Sequence, residues 1–420
     1  MNKVLLNSSV FALVLMLVAA SLPVGAVEPL WKEDFNIKTE FDLNALTQEN
    51  FYEVMVPLAK AEGSFVFFDF SNSFAPLWTE HIIPLFEKEY GIKVQHNSVK
   101  GDVALQQMLA ARNAGQPSPT DLFFVTSTQT QALIDNGLAA NIPMHKLLPN
   151  AKDVDETLAT VTNGVNHGGY MVPFHRNQTA MAYNSQFVNE QDVPRNFDEL
   201  LAWVKKNPGK LAATSPLRGG SGDGFLTSLM LRYVEGKCRD ALSNFAITDD
   251  EARAWIGEGC LDPVGQYYQE FNPNVEITNG NSDTLNLLAN GEAYIGTAWE
   301  DMTYDFIGRG LLPRTIRLYL LEDGQVGGGD GIFLPADSTK PASALLFLDF
   351  ILSRDIQVIK LQINGSRSAR TDLNVKELLS AGDAARLIPD EQYPAYAVQN
   401  VPIPIKNMGK EWYEATIVGQ

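Results

Sequence analysis

Two cysteines and five histidines in 420 residues leave little material for thiol or metal chemistry. The first count excludes a small fold stapled by several disulfides. The second excludes a zinc helix, because neither H-E-x-x-H nor two histidines four apart occur among His81, His96, His145, His167 and His175. Basic residues are also scarce, 32 Lys+Arg against 50 Asp+Glu, for a net charge of −18. That balance argues against nucleic acid and anionic lipid as partners, since both are held by clustered cations. The chain has no repeat and no low-complexity tract, and its one long apolar run, Val10–Ala20, is too short for the ~20 residues a membrane span needs.

Catalytic motifs are missing as well. Around Ser221 the nucleophile elbow G-x-S-x-G fails at Asp223, and the glycine run there fits neither a P-loop nor a dinucleotide fingerprint. Glu300 and Asp301 are adjacent carboxylates, but neighbours in an acidic sequence are weak evidence for a glycosidase pair. No cofactor or metal is expected, and a secreted α/β hydrolase stays as the alternative function.

What is present is an ordinary globular composition, 45% hydrophobic with Gly 32 and Pro 22. A chain of this length favours two packed lobes, since domains usually run to roughly 100–200 residues. Met1-Asn2-Lys3, the apolar run and the small residues Val24-Gly25-Ala26 read as a secretory signal peptide over 1–26, cleaved after Ala26. No cysteine lies near that site to carry a lipid, so the mature chain is expected in the periplasm. In that oxidising setting Cys238 and Cys260, 22 positions apart, are expected to pair as a structural disulfide worth roughly 3 kcal/mol.

Residues 27–62 read as an extension of uncertain order followed by a helix whose stripe is Phe51, Val54, Met55 and Leu58, with Pro57 a potential break. From there strands and helices alternate. Ser64–Phe70, Lys93–Ser98 and Asp121–Val125 read as strands, and Ala75–Tyr90 and Asp102–Ala114 as helices. Such alternation is the signature of a parallel α/β sheet, whose ligands bind beyond the carboxyl ends of the strands. Those ends carry Ser71-Asn72-Ser73 and Thr126-Ser127-Thr128, which serve equally as helix caps or as ligand contacts. Tyr170–Phe174 and Thr179–Tyr183 read as two strands separated by the polar break His175-Arg176-Asn177, a segment passing from one lobe to another.

Further on, Gly219–Gly224 precedes a helix, either as a nest of backbone N–H groups for a ligand or as a flexible turn. Trp299 with Glu300 and Asp301 at a strand end either stacks on and pairs with a cation, or is a core tryptophan beside solvated acids. Gly327-Gly328-Gly329-Asp330 lies between later strands, and two helices precede Gly365-Ser366-Arg367-Ser368-Ala369-Arg370.

Several segments, in their order and spacing, resemble the periplasmic solute-binding proteins of ABC importers, the two-lobed type that includes polyamine, iron, thiamine and oligosaccharide binders. They are Ala59-Lys60-Ala61-Glu62-Gly63 before a strand, Tyr170-Met171-Val172-Pro173-Phe174 with Met181-Ala182-Tyr183-Asn184, Ala289–Gly296, and Gly331–Ala336 followed by Ala342–Leu352. The resemblance implies two discontinuous α/β lobes, 63–174 with 302–336 and 175–301 with 337–420, joined by a hinge around an interlobe cleft. It places Ser71, Asn72, Ser73, Thr126, Ser127, His175, Arg176 and Asn177 at that cleft. It adds Gly220, Ser221, Gly222, Asp223, Trp299, Glu300, Asp301 and Asp330 from the later segments. Arg367 and Arg370 either reach the cleft or make surface ion pairs. Trp299 and the acids favour a cation, Arg176, Arg367 and the glycine nest an anion, and a zwitterion would use both. The tyrosine pair Tyr267-Tyr268 suits iron or core packing, with core packing preferred. The expected protein is a monomeric receptor that delivers a charged organic solute, cationic or zwitterionic before anionic, to a permease.

Overall fold

The computed structural model describes residues 34–71 and 74–419, without the side chain of Ser127. The expected signal peptide and the start of the extension lie outside the described residues, as do Asn72 and Ser73. No helix among the described residues is long and apolar enough to cross a membrane.

The scaffold is one ten-stranded sheet. Its strands are β1 (Ser64–Asp69), β2 (Lys93–Ser98), β3 (Leu122–Val125), β4 (Met171–Asn184), β5 (Leu211–Thr214), β6 (Glu276–Thr278), β7 (Ile295–Trp299), β8 (Ile316–Tyr319), β9 (Gln325–Phe333) and β10 (Ala397–Gln399). They lie in the order β2-β1-β3-β9-β4-β7-β5-β6, with β8 on β4 and β10 on β9. β1, β2 and β3 are parallel, as are β5, β6 and β7, so each end of the sheet is an α/β half whose strands point their carboxyl ends at the middle. The antiparallel β4 and β9 run through both halves.

β4 is one continuous strand where the sequence suggests two. Met171–Pro173 pair with Gly331–Phe333, His175–Gln178 with Gly327–Asp330, and Thr179–Tyr183 with β7. His175, Arg176 and Asn177 are polar because they span the gap between two cores. Between Asp330 and Gly331 the register shifts, leaving Phe174 as the extra residue of a bulge. Its carbonyl is taken by Lys360 Nζ, completely buried, which also donates to Arg367 O at 2.9 Å. Burial pushes the Lys360 amine well below the usual lysine value.

One core collects Phe65, Phe67, Trp78, Phe124, Phe174 and Phe347, with Phe68, Phe123 and Met108 in a cluster on the other face of β1 and β3. The other end is built from Met181, Phe197, Leu211, Phe225, Tyr267 and Phe271, with a smaller cluster around Ala180, Leu285 and Ile316. α1 (Phe51–Glu62) continues through Pro57 and packs in the first core with α4 (Pro341–Leu352); α2 (Gly220–Tyr233), α3 (Glu300–Gly308) and α5 (Arg354–Asn364) border the middle of the sheet. α4, expected with 175–301, thus shares a core with Phe65 and Phe67. Ile307, Ile316 and Leu318, expected with 63–174, instead pack with Ala298 and Tyr393. The exchange follows from β9, which carries the chain back to the first half before α4 begins.

Cys238 and Cys260 form a disulfide, Cα–Cα 5.7 Å, beside Trp255, whose indole N–H donates to Cys238 O.

Candidate functional site

Where the two halves face each other, a cavity of about 680 Å³ opens along β4. The end of β1 supplies Phe70 and Ser71, followed by Phe74, Pro76 and Leu77. β4 supplies His175 and Asn177, and β9 supplies Asp330. The end of β7 supplies Trp299, and α3 presents Asp301, Met302, Asp305 and Phe306, with Arg309 at its C-cap. Strand alternation explains the selection on β4: His175 and Asn177 face this cavity, while Arg176 points the other way, lining a separate hollow with its guanidinium 4.9 Å over the Tyr393 ring.

Trp299 rests on the start of α2, where a Cβ on Gly220 would lie 2.7 Å from the indole. Close approach, rather than a nest for a ligand, is what that glycine permits. Gly222 likewise has no room for a side chain, since its Cβ would lie 1.9 Å from Thr214 O. Ser221 Oγ donates to Asn281 Oδ1 at 2.8 Å, and Asp223 pairs with Lys406 at 3.0 Å. Gly220–Asp223 therefore form the first turn of α2, packed on β5.

Two carboxylates on the cavity wall carry its electrostatics. Burial raises the Asp301 carboxyl to about 6, with the charges of Glu300 and Asp305 adding to it. Asp330 is raised to about 7, again by burial and then by Asp301, while Lys406 and Asn177 act against the shift. Asn177 Nδ2 donates to Asp330 Oδ2 at 3.3 Å, and its Oδ1 is buried with no hydrogen-bond partner among the described residues. His175 is held neutral, its pKa lowered to about 3 by burial and by Lys360. Its Nδ1 lies 2.5 Å from Ser366 Oγ and its Nε2 lies 3.5 Å from Asp301 Oδ2. Arg309, on the same wall, pairs with Asp305 one helical turn away at 3.0 Å.

Glu300 and Arg367 lie together elsewhere. The Glu300 carboxylate, 2% exposed as a residue, accepts Arg367 Nε at 2.9 and 3.1 Å, Ile388 N at 2.8 Å and the Tyr393 hydroxyl at 2.5 Å. Arg367 also pairs with Asp390 at 2.7 Å and covers the Tyr393 ring at 4.1 Å. Arg370 is engaged by Asp153 at 2.6 Å and Asp372 at 2.8 Å. Thr126 Oγ1 donates to Gln129 Oε1 at 2.6 Å, a helix-start contact. Tyr267 and Tyr268 are buried in the second core.

The cavity thus gathers Ser71, His175, Asn177, Trp299, Asp301 and Asp330, and it does not gather Thr126, Arg176, Ser221, Asp223, Glu300 or Arg367. The sequence reading missed Phe70, Phe74, Met302, Asp305, Phe306 and Arg309. For the helical members a signal exists: Asp301, Asp305 and Arg309, like Met302 and Phe306, are four apart, which puts them on one face of α3.

Residues 82–384 match the family model of the bacterial extracellular solute-binding proteins. No curated protein matches the chain. Among solved structures, the spermidine/putrescine ABC transporter substrate-binding protein PotD from Streptococcus pneumoniae is similar, at 13% identity and TM-score 0.61, over 85% of this chain and 98% of that one. An ABC transporter solute-binding protein from Thermotoga lettingae, bound with alpha-D-tagatose, is similar at 17% identity and TM-score 0.60, over 84% and 95%. Iron-bound HitA from Pseudomonas aeruginosa is similar at 15% identity and TM-score 0.55, over 84% and 99%. These likenesses show the fold, a two-lobed α/β architecture.

Proposed function

Because the chain belongs to the bacterial extracellular solute-binding proteins, a family of binding proteins and not of enzymes, we propose that its cleft captures a small organic cation for delivery to an ABC permease. The observation that carries this reading is that Asp301 and Asp330 line the same cavity as the aromatic residues Trp299, Phe70, Phe74 and Phe306. An ammonium group there gains two carboxylates and a stacking surface, each strengthened by partial exclusion of water. The lining histidine is neutral and the lining arginine is already paired, so no free positive charge competes. An anion would need Arg176 or Arg367, and neither lines the cavity.

The mechanism is hinged capture. β4 and β9 are the segments that cross between the halves, so a small backbone rotation near His175–Gln178 and Gly327–Asp330 closes one wall on the other. Closure buries the solute, and its binding free energy selects the closed state. The protein is exported by its N-terminal signal and works as a monomer. The secreted hydrolase alternative has no support in the family or in the site.

A thermal-shift screen tests the ligand class with spermidine, putrescine, lysine, succinate, glucose and phosphate. The amines raise Tm saturably, following RT ln(1 + [L]/Kd). Stabilisation by succinate, phosphate or glucose with none by the amines contradicts the cationic reading.

A further inference from the structure

A second cavity, of about 530 Å³, lies on the outer side of the second half, between β8 and the segment 375–392. It shares no lining residue with the cleft. Its floor is a pair of tyrosines, Tyr183 and Tyr319, packed edge to face with centroids 5.9 Å apart. The Tyr319 side chain is almost wholly buried, yet its hydroxyl has no hydrogen-bond partner among the described residues. A buried donor left without an acceptor is uncommon in folded proteins.

Two arginines, Arg195 and Arg317, both half-buried, line the same cavity, Arg317 lying directly across the sheet register from Tyr183. Arg195 Nη2 donates to the backbone of Glu190, and Arg317 Nη1 to the backbone of Arg314 and Ile316, but neither forms an ion pair among the described residues. Other charges on the wall are committed: Lys376 pairs with Glu391 at 2.7 Å, and Asp390 with Arg367 at 2.7 Å. Glu190 is exposed on the rim. The balance of uncommitted charge is therefore positive, in a protein whose net charge is −18. Burial keeps the Tyr319 phenol protonated and thus a donor, with the nearby Arg195 charge acting weakly against that shift. The lining also has an apolar part, from Ala384, Ala385, Leu387 and Ile388.

We propose that this cavity binds a small amphiphilic organic anion, a carboxylate whose head meets Arg195, Arg317 and the Tyr319 hydroxyl while its apolar body lies along Leu387 and Ile388. Two guanidinium groups without ion pairs and a buried hydroxyl without a partner among the described residues share this cavity with hydrocarbon side chains, a lining that favours such a ligand over a sugar or an inorganic ion. The site is independent of whatever solute the cleft takes.

Calorimetric titration of the mature protein with phenylacetate and octanoate tests the assignment, with phenylacetamide as the neutral isostere. Phenylacetate or octanoate saturates one site, and phenylacetamide binds about tenfold more weakly or not at all. Arg317→Gln and Arg195→Gln each weaken binding about tenfold, Tyr319→Phe about fivefold, and Trp299→Ala in the cleft leaves it unchanged. Tyr319→Phe is nearly isosteric and removes only the hydroxyl, so it keeps the test available if an arginine variant fails to fold. The proposal is overturned if neither carboxylate saturates, if Tyr319→Phe binds as the parent does, or if Trp299→Ala abolishes the binding.

Discussion

Glu300 and Asp301 are consecutive residues with opposite employment. The Glu300 carboxylate is surrounded by Arg367, Ile388 N–H and the Tyr393 hydroxyl, whereas Asp301 faces the cleft with a neutral histidine 3.5 Å away. One step along a helix turns the side chain by about 100°, enough to take a carboxylate from the cavity lining into the protein interior. The contrast shows how a binding protein divides its acids. One set is satisfied by protein donors, while the other is left short of donors, with raised pKa, and is the set that the proposed solute would engage.

The sharpest way to break that division is Arg367→Met. It leaves Glu300 buried without its counter-charge, and about 3–5 kcal/mol of stability should go, read from urea denaturation. Asp330→Asn, on the cleft side, should cost less than about 1 kcal/mol of stability, because it removes a carboxylate with no ion-pair partner of its own. The same change should weaken spermidine binding by about 2 kcal/mol, roughly thirtyfold, in a calorimetric titration. If both substitutions unfold the protein equally, the two sets of acids do not differ as described. Trp299→Ala should weaken spermidine about tenfold through lost cation–π contact while the melt stays cooperative; global unfolding would make Trp299 a core residue.

The last comparison is the pH dependence of stability, whose sign separates the two kinds of group. Asp301 and Asp330 have folded pKa values raised to about 6 and about 7, so the folded state binds more protons than the unfolded state between about pH 7 and 4. Through them alone, stability rises on acidification. His175 and His167 are lowered to about 3, so the unfolded state binds more protons below about pH 6.5, and through them stability falls on acidification. The two trends oppose each other between about pH 6.5 and 4.5. The double variant Asp301→Asn/Asp330→Asn should therefore lose stability more steeply than the parent as pH falls through that window, measured by urea midpoints. An identical slope in both proteins would show that these acids are not raised.

Much of the fold was legible because alternating apolar runs and helical stripes carry it, as in Ser64–Phe70, Lys93–Ser98 and Asp102–Ala114. Reading failed where tertiary contacts override local pattern. His175-Arg176-Asn177 looks like a loop because it is polar, yet it is strand, its polarity set by the gap it crosses. Gly219–Gly224 looks flexible because glycine is a poor helix former, yet α2 starts at Gly220, since Trp299 and Thr214 leave no space for side chains. Lys360 gives no sign in sequence that it is buried under the Phe174 bulge. In the candidate site, strand-end position pointed to Trp299 and Asp301, and the family resemblance to Asp330. Facing direction within a helical turn, which separates Asp301 from Glu300, depends on a helix start fixed by packing.

The most direct test is a titration of the purified mature protein with spermidine at pH 7.5 and pH 5.5, beside Asp330→Asn. Saturable one-site binding at pH 7.5 that weakens at pH 5.5, with the variant weak at both, is the predicted result, because acid protonates the carboxylates the cation needs. Spermidine binding that is equally tight at both pH values and in the variant would contradict the account.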